Sequence, residues 1–297
     1  MTHTEPVTER RADDLADLDL LPTQRLVERI NDEDARVAPA VRAAVAPLAR
    51  AVDAIEERLR EGGRLVYVGA GSSGRLALVD AAECGPTFGV PEGTVLALIA
   101  GGPAAAAAAQ EAAEDDAGAG ADDVAAAAVG PADAVVALSA GGSTPYTVGA
   151  ARAARDAGAL LVAVVCTEGS ELGALADHEV VALVGPEVIA GSTRMKAGTA
   201  QKLVLNTLST ATMIRLGRTY GNLMVDVVAS NAKLRARARR AVALASDASE
   251  EEADAALAAS GGDAKVAIVS LLLGLDPDAA RERLERTGGV VRAAVAR

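Results

Sequence analysis

The chain has 297 residues, room for one large α/β domain and a small appendage. Hydrophobic residues make up 51% of it and aromatics only 1%, so the core must be Val, Leu, Ile and Ala at close approach. A net charge of −12 argues against nucleic acid, which calls for a basic face, and says little about a small anionic substrate, which responds to the local field.

Residues 1–20 are polar and acidic, unlike a signal or transit peptide, and read as an extended, charged segment. Pro22 and Thr23 precede a helical pattern with Leu26, Val27 and Ile30 on one face. Asn31–Asp34 is expected to break that helix as a solvated turn without chemistry, with Asp34 capping the next. One helix is predicted from about Val37 to Arg60, where Val41, Val45, Leu48, Val52, Ile55 and Leu59 recur at helical spacing. Gly62-Gly63 ends it.

The next stretch organises the chain. Leu65–Val68 is a short apolar run of β-formers, followed at once by Gly69, Gly71 and Gly74 with Ser72 and Ser73 between them. A helix then opens through Leu76, Leu78 and Val79. A strand that feeds a glycine-rich turn into a helix start leaves several backbone N–H groups converging on one spot, which the helix dipole makes favourable for an anion. The turn fits G-x-G-x-x-G, a weak signal by itself. A dinucleotide also wants an acidic residue ending the second strand. That strand, Thr94–Ala100, runs instead into Gly101, Gly102 and Pro103. Two serine hydroxyls beside the backbone donors suit a terminal phosphate better. The plainer alternative is a turn that only lets strand and helix pack.

Pro103–Asp116 is alanine-rich and reads as a helix with Glu111 and Glu114 on one face. A short helix opening at Asp122-Asp123 and closed by Gly130-Pro131 leads to a third strand, Ala134–Leu138. Ser139-Ala140-Gly141-Gly142-Ser143-Thr144-Pro145 then repeats the hydroxyl-glycine turn before a helix. Two such turns at the carboxyl ends of parallel strands can reach one crevice, although Ser143 and Thr144 also suit simple caps. Further strands are predicted at Leu160–Cys166 and Glu179–Val184. Strands alternating with helices predict a parallel sheet covered on both faces.

Arg194, Lys196 and Lys202 cluster at the start of a long helix that follows Gly191. They read equally as anion ligands or as a basic surface loop. A helix is predicted from Gly221 to about Leu244, then three short ones at 250–259, 263–274 and 277–287, with Ser249 as a cap.

Two cysteines, Cys84 and Cys166, are too few for a disulfide framework, which suits a reducing compartment. No apolar run reaches the roughly 18 residues of a membrane span. His3 in the tail and His178 in an expected surface turn offer no metal site of the usual type, and no cofactor is expected. No G-x-S-x-G elbow is present. The remaining chemistry is carboxylate chemistry. Glu83, in a small apolar setting, and Glu114 are the candidates, each of which also reads as an ordinary solvated helix residue.

Three segments together, GAGSSGRLALVDAAECGPTFG, EAAEDD and the block from Gly191 to Leu234, resemble the N-acetylmuramic acid 6-phosphate etherase family. These are sugar-isomerase (SIS) domain proteins related to the glucokinase regulatory protein. The likeness extends to RLVERINDEDARV and KVAIVSLLLGLD, so it spans nearly the whole chain. It implies cleavage of a lactyl ether by elimination and hydration, without a metal, in the cytoplasm, by a homodimer acting on a sugar phosphate.

Glu83 and Glu114 match the family's two glutamates, with Glu83 expected as the acid toward lactate and Glu114 as the base at C2. Gly71, Ser72, Ser73, Ser139, Ser143 and Thr144 are the expected sugar-phosphate ligands, and Arg194 and Lys196 further anion ligands. The family's Ser-Gly-Arg-Thr-Pro-Tyr turn reads Gly141-Gly142-Ser143-Thr144-Pro145-Tyr146 here, one hydroxyl and one arginine fewer. Its Ser-Glu-Cys-Pro-Pro-Thr reads Ala82-Glu83-Cys84-Gly85-Pro86-Thr87.

The expected fold is a three-layer α/β/α SIS domain with a five-stranded parallel sheet, N-terminal helices and a small C-terminal helical module. The expected boundaries are 1–50, 51–240 and 241–297. Two rival readings share that fold: a sugar-phosphate-binding regulator without catalysis, and a phosphosugar isomerase.

Overall fold

Five short strands, four of them wholly apolar runs and the fifth, an edge strand, carrying His178 and Glu179, form one parallel sheet. They are β1 (Leu65–Gly69), β2 (Val95–Ile99), β3 (Ala134–Leu138), β4 (Leu160–Val165) and β5 (His178–Val181), in the order β2-β1-β3-β4-β5. The pairing runs Leu65 opposite Val95 and Ala134, and Ala134 opposite Leu160. β1, β3 and β4 are buried along their whole length, as central strands covered on both faces must be. The computed structural model describes residues 6–108, 110–227 and 232–296. His3 lies outside them.

The chain divides into two compact units: Met1–Ala82 with Gly93–Ser209, and Glu83–Glu92 with Thr210–Arg297. In the first, α1 (Thr23–Asp34), α2 (Val37–Ala43) and α3 (Val45–Arg60) precede the sheet. α4 (Gly71–Phe88), whose residues from Glu83 on belong to the second unit, follows β1, α5 (Glu111–Glu114) and α6 (Ala117–Ala126) follow β2, and α7 (Pro145–Asp156) follows β3. α8 (Glu171–Leu175) links β4 to β5, and α9 (Lys196–Arg215), whose residues from Thr210 on belong to the second unit, follows β5.

Every second strand residue points to one face, where Val66, Val68, Val135, Ala137, Leu161 and Ala163 meet Val124 of α6 and Tyr146, Ala150 and Ala154 of α7. α3 covers the other face against β3, β4 and β5. Small residues let these layers close. A Cβ on Gly149 of α7 would sit 2.1 Å from the Ala117 carbonyl oxygen of α6. The core therefore reaches its density through backbone approach rather than through aromatic bulk.

The second unit holds a two-stranded antiparallel ribbon, β6 (Thr219–Tyr220) and β7 (Leu223–Met224). With it come α10 (Ala232–Ser246), α11 (Glu250–Ala259), α12 (Ala264–Leu273), α13 (Pro277–Arg286) and α14 (Val291–Ala294). Its core is Val225, Val242, Ile268, Val269, Leu284 and Val291. Ser249 caps α11 in a reciprocal capping box with Glu252. Lys265 pairs with Asp226 at 2.6 Å, yet burial still pushes the Asp226 carboxyl above its usual range.

Several local expectations give way to tertiary context. The predicted 37–60 helix is two helices, because Pro47 lacks the N–H that would continue α2 and instead suits the first turn of α3. Asn31–Asp34 does not break α1 but completes it. Glu33 is buried there and accepts from Lys196 Nζ at 2.6 Å.

The alanine-rich 103–116 segment is not one helix. It forms a 3-10 turn, Gly102–Ala106, and the short α5. α6 starts earlier than Asp122, because Asp116 accepts the Ala119 N–H at 2.9 Å and caps it there. Gly221, at positive φ, turns β6 into β7 where a helix was expected, and of that predicted helix residues 228–231 lie outside the described residues. His178 opens β5 rather than sitting in a surface turn.

Candidate active site

The strand order reverses direction between β1 and β3. In an open parallel sheet that reversal opens a crevice at the carboxyl ends of the two strands. Here the turn after β1 and the turn after β3 meet in it. The cleft encloses about 540 Å³ and lies within the first unit. Gly71, Ser72 and Ser73 line it from the first turn, and Ser139, Ser143 and Thr144 from the second. The lining includes the start of α4, where the first-turn N–H groups lack intrahelical partners and offer backbone donors besides the hydroxyls.

Glu114 also lines the cleft, and the local fold explains its place. Gly71 has φ +53°, and a Cβ there would lie 2.6 Å from Glu114 Oε1. The glycine is needed twice, for the left-handed turn and for the carboxylate seated against it. The spot that a glycine-rich turn keeps open for close approach is thus filled by a carboxylate.

Arg75, one turn into α4, ties down the chain that precedes α5. Its Nε donates to the Ala105 carbonyl at 2.9 Å and its Nη2 to the Ala108 carbonyl at 3.0 Å. Desolvation raises the Glu114 carboxyl above its usual range; Arg75 opposes this, while Asp115 and Glu111 add to it. Glu114 therefore exchanges its proton closer to neutrality than an exposed glutamate does.

The remaining predicted residues are distributed as follows. Ser139 is buried, and its hydroxyl lies 2.8 Å from that of Thr144 and accepts the Gly142 N–H at 3.0 Å, so these two shape the second turn from inside. Ser73 donates to Gln201 Oε1 of α9 at 2.8 Å. Arg194 is exposed at the rim of the cleft.

Lys196 is not in the lining. It is 1% exposed and its charge is met by Glu33. The start of α9 is capped by Glu187, whose carboxylate accepts the N–H groups of Lys196 and Ala197 at 3.0 and 2.9 Å. Glu83 lies further along α4, exposed, in the second unit, and is not part of the lining either.

Residues that the sequence reading passed over also line the cleft: Arg75, Glu9, Ser192 and Thr193. Arg75 was findable as the next residue after the G-x-G-x-x-G turn. Glu9 had no signal, because its segment carries no periodicity. Among the described residues, no group of three or more His, Cys, Asp or Glu side chains is placed to hold a metal ion. Nor is any single helix among them long and apolar enough to cross a membrane.

Comparison with known proteins adds chemistry to this geometry. Residues 47–154 match the glucokinase regulatory protein N-terminal SIS domain, and residues 108–211 match the SIS domain. The chain is 60% identical over 291 residues to an N-acetylmuramic acid 6-phosphate etherase of Rubrobacter xylanophilus, covering 98% of this chain and 96% of that one. It is 52% identical to the Streptomyces avermitilis protein of that name, covering 97% and 93%. It is 50% identical to that of Salmonella choleraesuis, covering 97% of each.

Among solved structures, an Escherichia coli CFT073 protein, solved as a ligand complex, aligns with a TM-score of 0.50 at 18% identity, over 68% of this chain and 97% of its own. A Bacteroides fragilis chain described as a phosphosugar isomerase involved in capsule formation aligns with a TM-score of 0.51 at 19% identity, over 67% and 98%. These two share the fold.

Proposed function

The chain belongs to the N-acetylmuramic acid 6-phosphate etherase family, and from that premise we propose how its cleft carries out the reaction. The protein is a carbon–oxygen lyase of amino-sugar recycling. It cleaves the lactyl ether of N-acetylmuramic acid 6-phosphate to N-acetylglucosamine 6-phosphate and D-lactate, by elimination followed by hydration.

The observation that carries the site assignment is the Glu114 carboxylate, seated against the Gly71 turn in a cleft lined with hydroxyls. In this proposal the 6-phosphate lies over the start of α4. There it takes backbone N–H groups and the hydroxyls of Ser72 and Ser73, with Ser143 and Thr144 across from it. Arg194 offers a charge at the rim.

In the open-chain sugar the C2 proton is α to the aldehyde and therefore acidic enough for a carboxylate. Glu114 takes that proton. The bond from C3 to the ether oxygen then breaks, and the departing lactate oxygen must be protonated, the part assigned to Glu83. Water adds at C3 and a proton returns to C2, which balances the reaction as substrate plus water giving sugar phosphate plus lactate. Glu114→Gln keeps the shape of the side chain and loses the base. It should lower kcat by about 10²- to 10⁴-fold while N-acetylglucosamine 6-phosphate still binds. A kcat within threefold of the parent enzyme would remove Glu114 from the role.

The working form is proposed to be a homodimer: closed two-fold dimers are the commonest soluble oligomers, and a partner chain can supply a residue that the cleft does not itself line. Glu83 is such a residue. If one chain supplies Glu83 and its partner Glu114, mixing Glu83→Ala with Glu114→Ala chains should restore about a quarter of the activity, since half the dimers are mixed and each has one intact site. No recovery in a mixture shown to contain mixed dimers would contradict the shared site. The cytoplasm is the proposed compartment, in keeping with a phosphorylated sugar substrate and a chain whose two cysteines are buried and form no disulfide. Cell fractionation tests it, and recovery of the enzyme outside the cytoplasmic fraction would contradict it.

A further inference from the structure

Gln201 stands behind Ser73 on α9, 1% exposed. Its Oε1 accepts the Ser73 hydroxyl at 2.8 Å, while its Nε2 is buried without a hydrogen-bond partner. This arrangement is unfavourable at both ends. An unmatched buried N–H group is rarer in proteins than an unmatched carbonyl. Meanwhile the single hydrogen of Ser73 is spent on the glutamine, so toward the cleft the serine offers only lone pairs. A phosphate dianion has only acceptors to offer in return.

The two ends of an amide have the same shape. Turned over, the side chain would bring Nε2 to the position 2.8 Å from Ser73 Oγ, within ordinary N–H···O distance. The buried donor would be satisfied, and the serine hydrogen freed for the cleft.

We propose that Gln201 is a positioning residue that sets the polarity of Ser73. With its amide turned, Gln201 donates to Ser73 Oγ and Ser73 donates to the substrate phosphate. The inference rests on the reading that Ser73 is a phosphate ligand. It gives a role to a residue that does not itself line the cleft and reaches it only through Ser73.

The test is a double-mutant cycle read by calorimetric binding of N-acetylglucosamine 6-phosphate at pH 8, with KM and kcat for lactate release alongside. Ser73→Ala should weaken binding by about tenfold, the loss expected for one hydrogen bond to a charged group. Gln201→Glu accepts but does not donate, so it should hold the Ser73 hydrogen, weaken binding similarly and raise KM with little change in kcat. Added to Ser73→Ala, it should cost less than it does alone, the remainder being repulsion between its charge and the phosphate. Gln201→Met, which can neither donate nor accept, should weaken binding by about threefold and also lose its effect in the Ser73→Ala background. It carries the cycle alone if the Glu variant fails to fold.

Unchanged binding by Ser73→Ala would overturn the phosphate-site reading and this proposal with it. Weakened binding by Ser73→Ala, with Gln201 variants that bind normally or weaken binding equally in both backgrounds, would overturn the proposal alone.

Discussion

Glu114 is governed by opposing influences on one carboxyl. Burial raises its pKa, Arg75 lowers it, and Asp115 and Glu111 raise it again. A base works only when ionised, so activity must fall as pH drops through this raised pKa, above the range of an exposed glutamate. Arg75→Gln removes the single lowering influence. The acidic limb of kcat/KM should therefore move to higher pH. A limb that stayed in place or moved to lower pH would mean that the titrating group is not Glu114.

The same residue shows what the sequence can and cannot carry. Its candidacy was legible from its place after the second strand and from the EAAEDD segment, which matches one of the family's two glutamates. Its seat on Gly71 was not, because that contact joins residues far apart in the sequence and no local pattern reveals it. Lys196 was equally opaque. A lysine near a glycine-rich helix start reads as an anion ligand, and nothing local reveals a partner 163 residues away.

At the scale of elements, the strands were legible because buried parallel strands are continuous apolar runs, and the C-terminal helices because their caps are explicit. Ser249, Asp263 and Asp276 each accept backbone N–H groups at the start of a helix. The alanine-rich segment after β2 was misread for the opposite reason. Alanine favours a helix locally but buries little, so Gly101 and Gly102 at positive φ and the Arg75 hydrogen bonds decide its shape.

The joint between α1 and α9 is held by a buried ion pair, Glu33 with Lys196 at 2.6 Å, with Arg36 reaching Glu33 at 3.1 Å from the exposed side. Both carboxylate and ammonium are almost wholly excluded from water, so removing one strands the other. Glu33→Ala should destabilise the protein by about 3–5 kcal/mol, measured from the denaturant midpoint at unchanged slope. The double variant Glu33→Met with Lys196→Met should recover much of that loss. A single variant within about 0.5 kcal/mol of the parent would show that the pair does not hold the joint.

At the scale of the whole molecule, topology brings the two hydroxyl-glycine turns into one cleft. Each turn was visible in the sequence. That they adjoin follows from the order β2-β1-β3, which periodicity alone does not reveal. The fold does not choose the reaction either, since chains with this sheet are described as phosphosugar isomerases as well. What separates an etherase from an isomerase is where the C2 proton goes and whether the C3 oxygen leaves.

The most direct test of this account is therefore to supply N-acetylmuramic acid 6-phosphate in deuterated water and follow lactate together with the isotope at C2 of the sugar product. The account predicts stoichiometric D-lactate with N-acetylglucosamine 6-phosphate deuterated at C2, and neither product from Glu114→Gln on the same timescale. Lactate released with protium retained at C2 would contradict elimination, and with it the role of the carboxylate at the Gly71 turn.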